Sequence, residues 1–258
     1  MLESIKFFYK YKYLLYVLVE RDIKTKYRRS ILGVLWSLLN PLLMMIITAM
    51  VFSTLFRFAI ENYILYLLVG QVVFTFFSES TNFAMGSIIQ NSSLIKKVYV
   101  PKYLFPTSRV MSSCVNFLFT IPAIIVMMIY TGQIPTISIF TLVIPLFLML
   151  MFCLGIALIL SVCAVYFRDI YHLYGVFLTA SSYATPIFYP ASIVPDEYKW
   201  ILTINPLYYF VSSFREVVYS GGIPSFDTTI ICFIISIISL ILGIFIFRKT
   251  QNQFILYI

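Results

Sequence analysis

Residues 31–56 carry no charged side chain, and further apolar runs cover residues 62–82, 173–189 and 228–247. An α-helix rises about 1.5 Å per residue, so roughly 20 apolar residues cross a hydrocarbon core of about 30 Å. No charge occurs between Arg109 and Arg168 either, a run about twice as long as one crossing needs. That run contains the turn-rich stretch Thr131-Gly-Gln-Ile-Pro-Thr136, which predicts two helices. The pattern therefore predicts six spans, the second interrupted late by Glu79. Long uncharged runs, as opposed to short alternations, exclude a closed barrel, so the class is an all-α membrane protein.

Three segments are neither span nor simple loop. Residues 2–29 mix cations with Ile5, Phe8, Tyr9, Tyr13, Leu14, Val17 and Leu18 at approximate helical spacing, which predicts an N-terminal amphipathic helix lying on the membrane interface. Residues 91–106 hold Pro101 and Pro106 and cannot continue the flanking helices; they predict a compact elbow whose apolar tips, Leu94, Ile95, Val98, Tyr99 and Val100, suit a partner or the interface. Residues 185–224 are apolar for an outer loop and contain Pro186, Pro190, Pro195 and Pro206, consistent with short re-entrant helices between spans five and six. The alternative is an interfacial cap held by its tyrosines and Trp200.

Composition agrees with lipid as the main solvent. The chain is 61% hydrophobic and 11% charged, with a mean hydropathy of +0.97, too apolar to cover itself with water-compatible side chains. The net charge of +8 is distributed as a topology signal. Lys6, Lys10, Lys12, Arg21, Lys24, Lys26, Arg28 and Arg29 precede the first span. Lys96, Lys97, Lys102, Arg109, Arg168, Arg248 and Lys249 fall on the same side, leaving Arg57, Lys199 and Arg215 opposite. The positive-inside rule then puts both termini in the cytoplasm and gives a nucleic-acid partner little support. The first apolar cluster is short and followed by charge, unlike a cleavable signal peptide.

Cys114, Cys153, Cys163 and Cys232 lie inside apolar runs without CxxC spacing and read as free packing thiols, and His172 alone makes no metal site. No phosphate-binding loop, dinucleotide fingerprint, zinc-protease or nucleophile-elbow motif occurs, so no catalytic residue, metal or cofactor is expected in this chain. Ion-coupled carriers place several ionisable groups near the membrane midplane, whereas Glu79 is the sole good candidate and reads as a snorkelling or helix-capping residue.

The stretch Arg21-Asp-Ile-Lys-Thr-Lys-Tyr-Arg-Arg-Ser-Ile-Leu-Gly-Val-Leu-Trp-Ser-Leu-Leu-Asn-Pro41 resembles the start of the ABC-2-type permeases that export O-antigen, teichoic acid, capsule and related cell-surface polysaccharides. Leu94-Ile-Lys-Lys-Val-Tyr-Val-Pro-Lys102 and Tyr166-Phe-Arg-Asp-Ile170 are similar to that family's two cytoplasmic loops. Thr185-Pro-Ile-Phe-Tyr-Pro-Ala-Ser-Ile-Val-Pro195, with Asn205-Pro-Leu207 and Arg215, is similar to its outer segment. Four pieces in order over nearly the whole length make the resemblance specific, although Val72–Phe77 has Val and Phe where such permeases often carry Trp.

The resemblance implies one transmembrane domain over residues 1–258, in the cytoplasmic (inner) membrane, working as a homodimer with two copies of a separate ATPase subunit that holds ATP and Mg. The cargo would be a polyprenyl-diphosphate-linked glycan. Arg21, Asp22, Tyr27, Arg28 and Ser30 would form the entrance near the lipid headgroup, with Arg28 the residue expected to meet the diphosphate. Leu94, Ile95, Lys96, Lys97, Val98, Tyr99, Pro101 and Lys102 would form the coupling loop, with Arg168 and Asp169 as a second ATPase contact. Pro186, Tyr189, Pro190, Pro195, Asn205, Pro206 and Arg215 would belong to the outer gate. Rivals are an ABC-2 permease for a small lipid or drug, an ion-coupled secondary transporter and a non-transporting scaffold.

Overall fold

A computed structural model describes residues 2–28, 30–56, 60–133 and 136–257. Arg29, Arg57 and the Ile134-Pro135 part of the expected turn lie outside the described residues, as do the side chains of residues 2–10 and 53–56. Among the described residues the secondary structure is helical throughout: α1 (Leu2–Tyr27), α2 (Leu35–Phe56), α3 (Tyr63–Met85), α4 (Ser87–Gln90), α5 (Ser92–Lys97), α6 (Leu104–Tyr130), α7 (Val143–Tyr166), α8 (Ile170–Ala184), α9 (Lys199–Ile204), α10 (Pro206–Val218) and α11 (Phe226–Thr250). Short 3-10 turns precede α7 and follow α11. Five segments are long and apolar enough to cross a membrane, carried by α2, α3, α6, α7 and α11.

The long charge-free run does fold as two helices, α6 and α7, separated at Gly132, whose φ of 76° suits a residue without Cβ. The apolar run at 173–189 behaves differently. Its helix, α8, starts earlier and stops at Ala184 after 15 residues, about 22 Å, because Thr185 is held extended ahead of Pro186. α8 is thus shorter than the roughly 20 residues of a full crossing.

α3 is the central post. Leu65, Leu68, Val69, Val72, Val73, Phe76 and Phe77 are all buried and pack against α6, α7 and α10. Aromatic rings connect these helices: Phe76 to Phe117 at 5.3 Å, Phe117 to Phe214 at 5.7 Å, Phe77 to Phe152 at 5.7 Å and Phe152 to Phe210 at 5.2 Å. Phe117 lies midway along α6, so α10 reaches deep into the bundle while α9 stays largely exposed.

A second cluster marks one end of the bundle. Leu15 and Leu18 of α1, Ile95 of α5, Val165 of α7, Phe247 near the end of α11 and Phe254 in the 3-10 turn after it share it. The middle of α1 and the end of α11 therefore sit at the elbow's end of the bundle, and α8 carries the chain back toward the opposite end, where Pro186 meets Arg215 and α11 begins.

Candidate functional site

Among the polar residues of α3 and α6, some recur at helical spacing on one side of each helix. Gln71, Thr75 and Glu79 fall four apart on α3, and Ser113, Asn116 and Thr120 three or four apart on α6, so each set forms a stripe. The two stripes face a cleft of ≈ 500 Å³ walled also by Trp36, Asn40, Phe74, Phe76 and Phe117. Toward the elbow lies a second cavity of ≈ 390 Å³, lined by Arg21, Asp22, Gln90, Asn91, Arg109 and Ser112. Gln71 Oε1 and Ser113 Oγ are buried on these walls without a protein partner, a costly arrangement unless whatever fills the cavities bonds to them.

The expected entrance residues divide between these surroundings. Asp22 is a hub whose side chain is 6% exposed. Its carboxylate accepts from Arg21 at 3.1 Å and forms an ion pair with Arg109 at 3.2 Å. Arg21 also donates to Asn91 Oδ1 at 3.1 Å and Arg109 to Gln90 Oε1 at 3.0 Å, which ties α1 to the elbow and to α6. Tyr27 donates to Asn116 Oδ1 at 3.2 Å, and Ser30 Oγ accepts from the Gly33 amide at 3.0 Å in the turn leading to α2. Arg28 is exposed. Asp22→Asn will leave two guanidinium groups facing each other and lower stability by about 1–3 kcal/mol, read as a reduced midpoint of thermal unfolding in detergent.

Glu79 has a different role from the snorkelling or capping expected. Both its carboxylate oxygens accept from Lys26 Nζ at 3.2 Å, so it joins α3 to the last turn of α1.

The elbow residues also separate. Ile95 is buried in the cluster that holds Leu15 and Phe254, and Leu94 and Val100 pack partly against it, so these three anchor the elbow instead of projecting from it. Val98 is 52% and Tyr99 88% exposed, flanked by exposed Lys96 and Lys97 and by half-buried Pro101. Lys102 turns inward: Nζ donates to the Gln251 carbonyl at 2.5 Å and lies 5.6 Å from the Phe254 ring, and burial pulls its pKa below the usual lysine value. Arg168 and Asp169, in the turn between α7 and α8, are exposed beside Phe167.

At the other end Arg215 of α10 is buried and donates to the carbonyls of Pro186 at 2.7 Å, Ile187 at 3.1 Å and Tyr66 at 3.3 Å, with its guanidinium 3.4 Å from the Tyr66 ring centre. A Cβ on Gly70 would come within 2.8 Å of Arg215 Nη2, so the glycine makes room for the guanidinium. Tyr63 donates to the Phe188 carbonyl at 2.6 Å and Tyr66 to that of Tyr189 at 3.0 Å. Asn205 caps α10 through the Leu207 amide at 3.0 Å, with Pro206 in the first turn, and donates to Thr185 Oγ1 at 2.9 Å. Pro190 and Pro195 lead into short 3-10 turns at Ala191–Ile193 and Asp196–Tyr198.

Sequence reasoning missed Lys26, Tyr63, Tyr66, Gln71, Asn91, Arg109, Ser112, Ser113 and Asn116 as site residues. The helical spacing of Gln71, Thr75 and Glu79 on α3 and of Ser113, Asn116 and Thr120 on α6 was the available signal; the tyrosines and Asn91 gave none.

A profile of the ABC-2 type transporter family matches residues 13–219. An O-antigen export system permease protein RfbA of Klebsiella pneumoniae is 34% identical over 256 residues, covering 97% of this chain and 98% of the relative. The protein of the same name in Myxococcus xanthus is 30% identical over 98% of both chains. The polysialic acid transport protein KpsM of Escherichia coli is 24% identical over 90% of this chain and 91% of its own. With that match over most of its length, and with apolar helices that make it a multi-pass membrane protein, the chain belongs to the ABC-2 type transporter family.

Proposed function

We propose that the chain is the membrane-spanning permease of an exporter that moves a polyprenyl-diphosphate-linked cell-surface polysaccharide, of O-antigen, capsule or teichoic-acid type, across the cytoplasmic membrane. A separate ATPase subunit binds ATP and Mg and supplies the energy. The observation that carries this reading is the file of polar residues on α3 and α6 that lines the cleft. Sugars need hydrogen-bonding groups for their hydroxyls and flat apolar surfaces for their C–H faces. The ≈ 500 Å³ cleft offers both, in Gln71, Thr75 and Asn116 beside Trp36, Phe74 and Phe117. The names of the relatives support the substrate class.

In this reading α8 with the following residues makes a sixth crossing, which agrees with α1 and the end of α11 meeting the elbow at one end of the bundle. The basic residues of α1, the elbow and the end of α11 support a cytoplasmic position for that end. The complex is two copies of this chain with two of the ATPase. Arg28 stands at the entrance for the diphosphate headgroup, α1 lies at the interface, and residues 185–224, with α10 dipping inward, form the outer gate. Val98 and Tyr99, flanked by Lys96 and Lys97, seat in the ATPase, and the exposed Arg168 and Asp169 make a second contact with it.

The test replaces the exposed elbow tip. Val98→Glu with Tyr99→Glu will leave the chain in the membrane, because neither side chain is buried, and will abolish both co-purification of the ATPase and surface polymer. ATPase binding and export at wild-type levels in that variant would refute the reading.

A further inference from the structure

The two cavities meet at a seam. Lys26, Ser113 and Asn116 line both of them, while the ≈ 390 Å³ cavity continues to Arg21 and Arg109 and the ≈ 500 Å³ cleft to Gln71 and Phe188. The last two residues of α1 reach across this seam to different helices: Lys26 to Glu79 of α3 and Tyr27 to Asn116 of α6, all at 3.2 Å. Ser113 lies at the same level, 2% exposed, its hydroxyl without a partner.

We propose that Lys26–Glu79 and Tyr27–Asn116 are the closed contacts of an inner gate across the translocation path, a role that rests on the exporter reading. Three features make the arrangement able to open. The Lys26 and Glu79 side chains are 36% and 30% exposed, so both charges keep access to water once separated and neither is stranded in an apolar interior. Lys26 and Tyr27 end α1, and the turn at residues 30–34 before α2, in which Gly33 has a φ of 50°, lets the tip swing without unwinding the helix. Asp22, one turn earlier, stays clamped between Arg21 and Arg109 and serves as the pivot. Leu15 and Leu18 of the same helix rest in the cluster that holds Ile95 of the elbow. A push on the elbow by the ATPase is thereby delivered to the gate through one rigid rod.

The experiment reads water access, not export. Gln71→Cys is placed in a chain carrying Cys114→Ala, Cys153→Ala, Cys163→Ala and Cys232→Ala, and a charged, membrane-impermeant methanethiosulfonate is added from the elbow side without ATP. With the gate closed the thiol is modified slowly. Adding Glu79→Gln or Tyr27→Phe is expected to speed modification about fivefold or more, the range of a modest coupling between sites. The exchange Lys26→Glu with Glu79→Lys restores the ion pair and the slow rate. Equal rates in all these chains, or an exchange variant that reacts as fast as Glu79→Gln, would overturn the gate. The exporter reading would survive either outcome, because it stands or falls on the elbow variant.

Discussion

Gly155→Ala will destabilise the protein severely, whereas the same change at Gly175 will be neutral or mildly stabilising. α7 and α11 are in contact over most of their length, and they meet backbone to backbone at Gly155 and Gly243. A Cβ on Gly155 would lie 2.3 Å from the Ser239 carbonyl carbon, and one on Gly243 would lie 2.4 Å from the Gly155 oxygen. Neither contact can be relieved by turning a side chain, so the helices must part. Parting stretches the bonds from Ser236 Oγ to the Leu148 carbonyl at 2.7 Å and from Ser239 Oγ to the Phe152 carbonyl at 3.1 Å. Close approach through small residues and such hydrogen bonds are what hold helices together in lipid, where the hydrophobic effect between them is absent. Loss of about 3 kcal/mol or more is expected, the upper part of the range for overpacking. A Cβ on Gly175 of α8 meets nothing within 4 Å, and alanine there gains helix propensity. Fluorescence-detected size exclusion after heating will show early loss of the folded peak for Gly155→Ala and none for Gly175→Ala. Similar curves for the two would refute the packing argument.

Arg215→Met will release the outer segment. The methionine fills much of the same volume but removes the guanidinium donors from the carbonyls of Pro186, Ile187 and Tyr66, leaving Pro186 only the 3.3 Å bond from the Tyr66 hydroxyl, in a place water does not reach freely. Charge-assisted bonds to a buried guanidinium are strong, and the carbonyls left behind add their own desolvation cost, so about 3 kcal/mol is expected in total. Arg215→Lys will not rescue, because an ammonium has its three donors on one nitrogen and no plane to lie over the Tyr66 ring, so it cannot reproduce the spread of the guanidinium fork. Limited proteolysis from the side opposite the elbow, aimed at residues 186–200, is the readout. Both variants will be cut faster than wild type while remaining in the membrane, and a lysine variant as resistant as wild type would show that the fork geometry is not what matters.

Some features were legible in the sequence because they depend on neighbours a few residues away. Charge-free runs long enough for lipid mark α2, α3, α6, α7 and α11. Gly132 divides α6 from α7, and Asn205-Pro206 starts α10 as a cap followed by a proline. The elbow was visible as a break between helices, but not the inward rotation of Ile95, and the apolar run at 173–189 did not reveal that proline geometry would stop α8 at Ala184. The outer motif was visible as prolines with Asn205 and Arg215; that Tyr63 and Tyr66 of α3 hold it was not.

The sequence alone, through hydropathy and charge, determined a helical membrane protein with its basic residues at one end, since lipid requires every backbone bond to close within a helix. Tertiary structure alone decided the site. Asp22 meets Arg109 from another helix, and Lys26 meets Glu79 across 53 residues of chain. Hydrophobic periodicity gives the apolar face of a helix but neither its rotation against a neighbour nor its axial register. Those follow from close contacts such as Gly155 on Ser239, and they convert scattered polar residues in α3 and α6 into one wall with a contact across it.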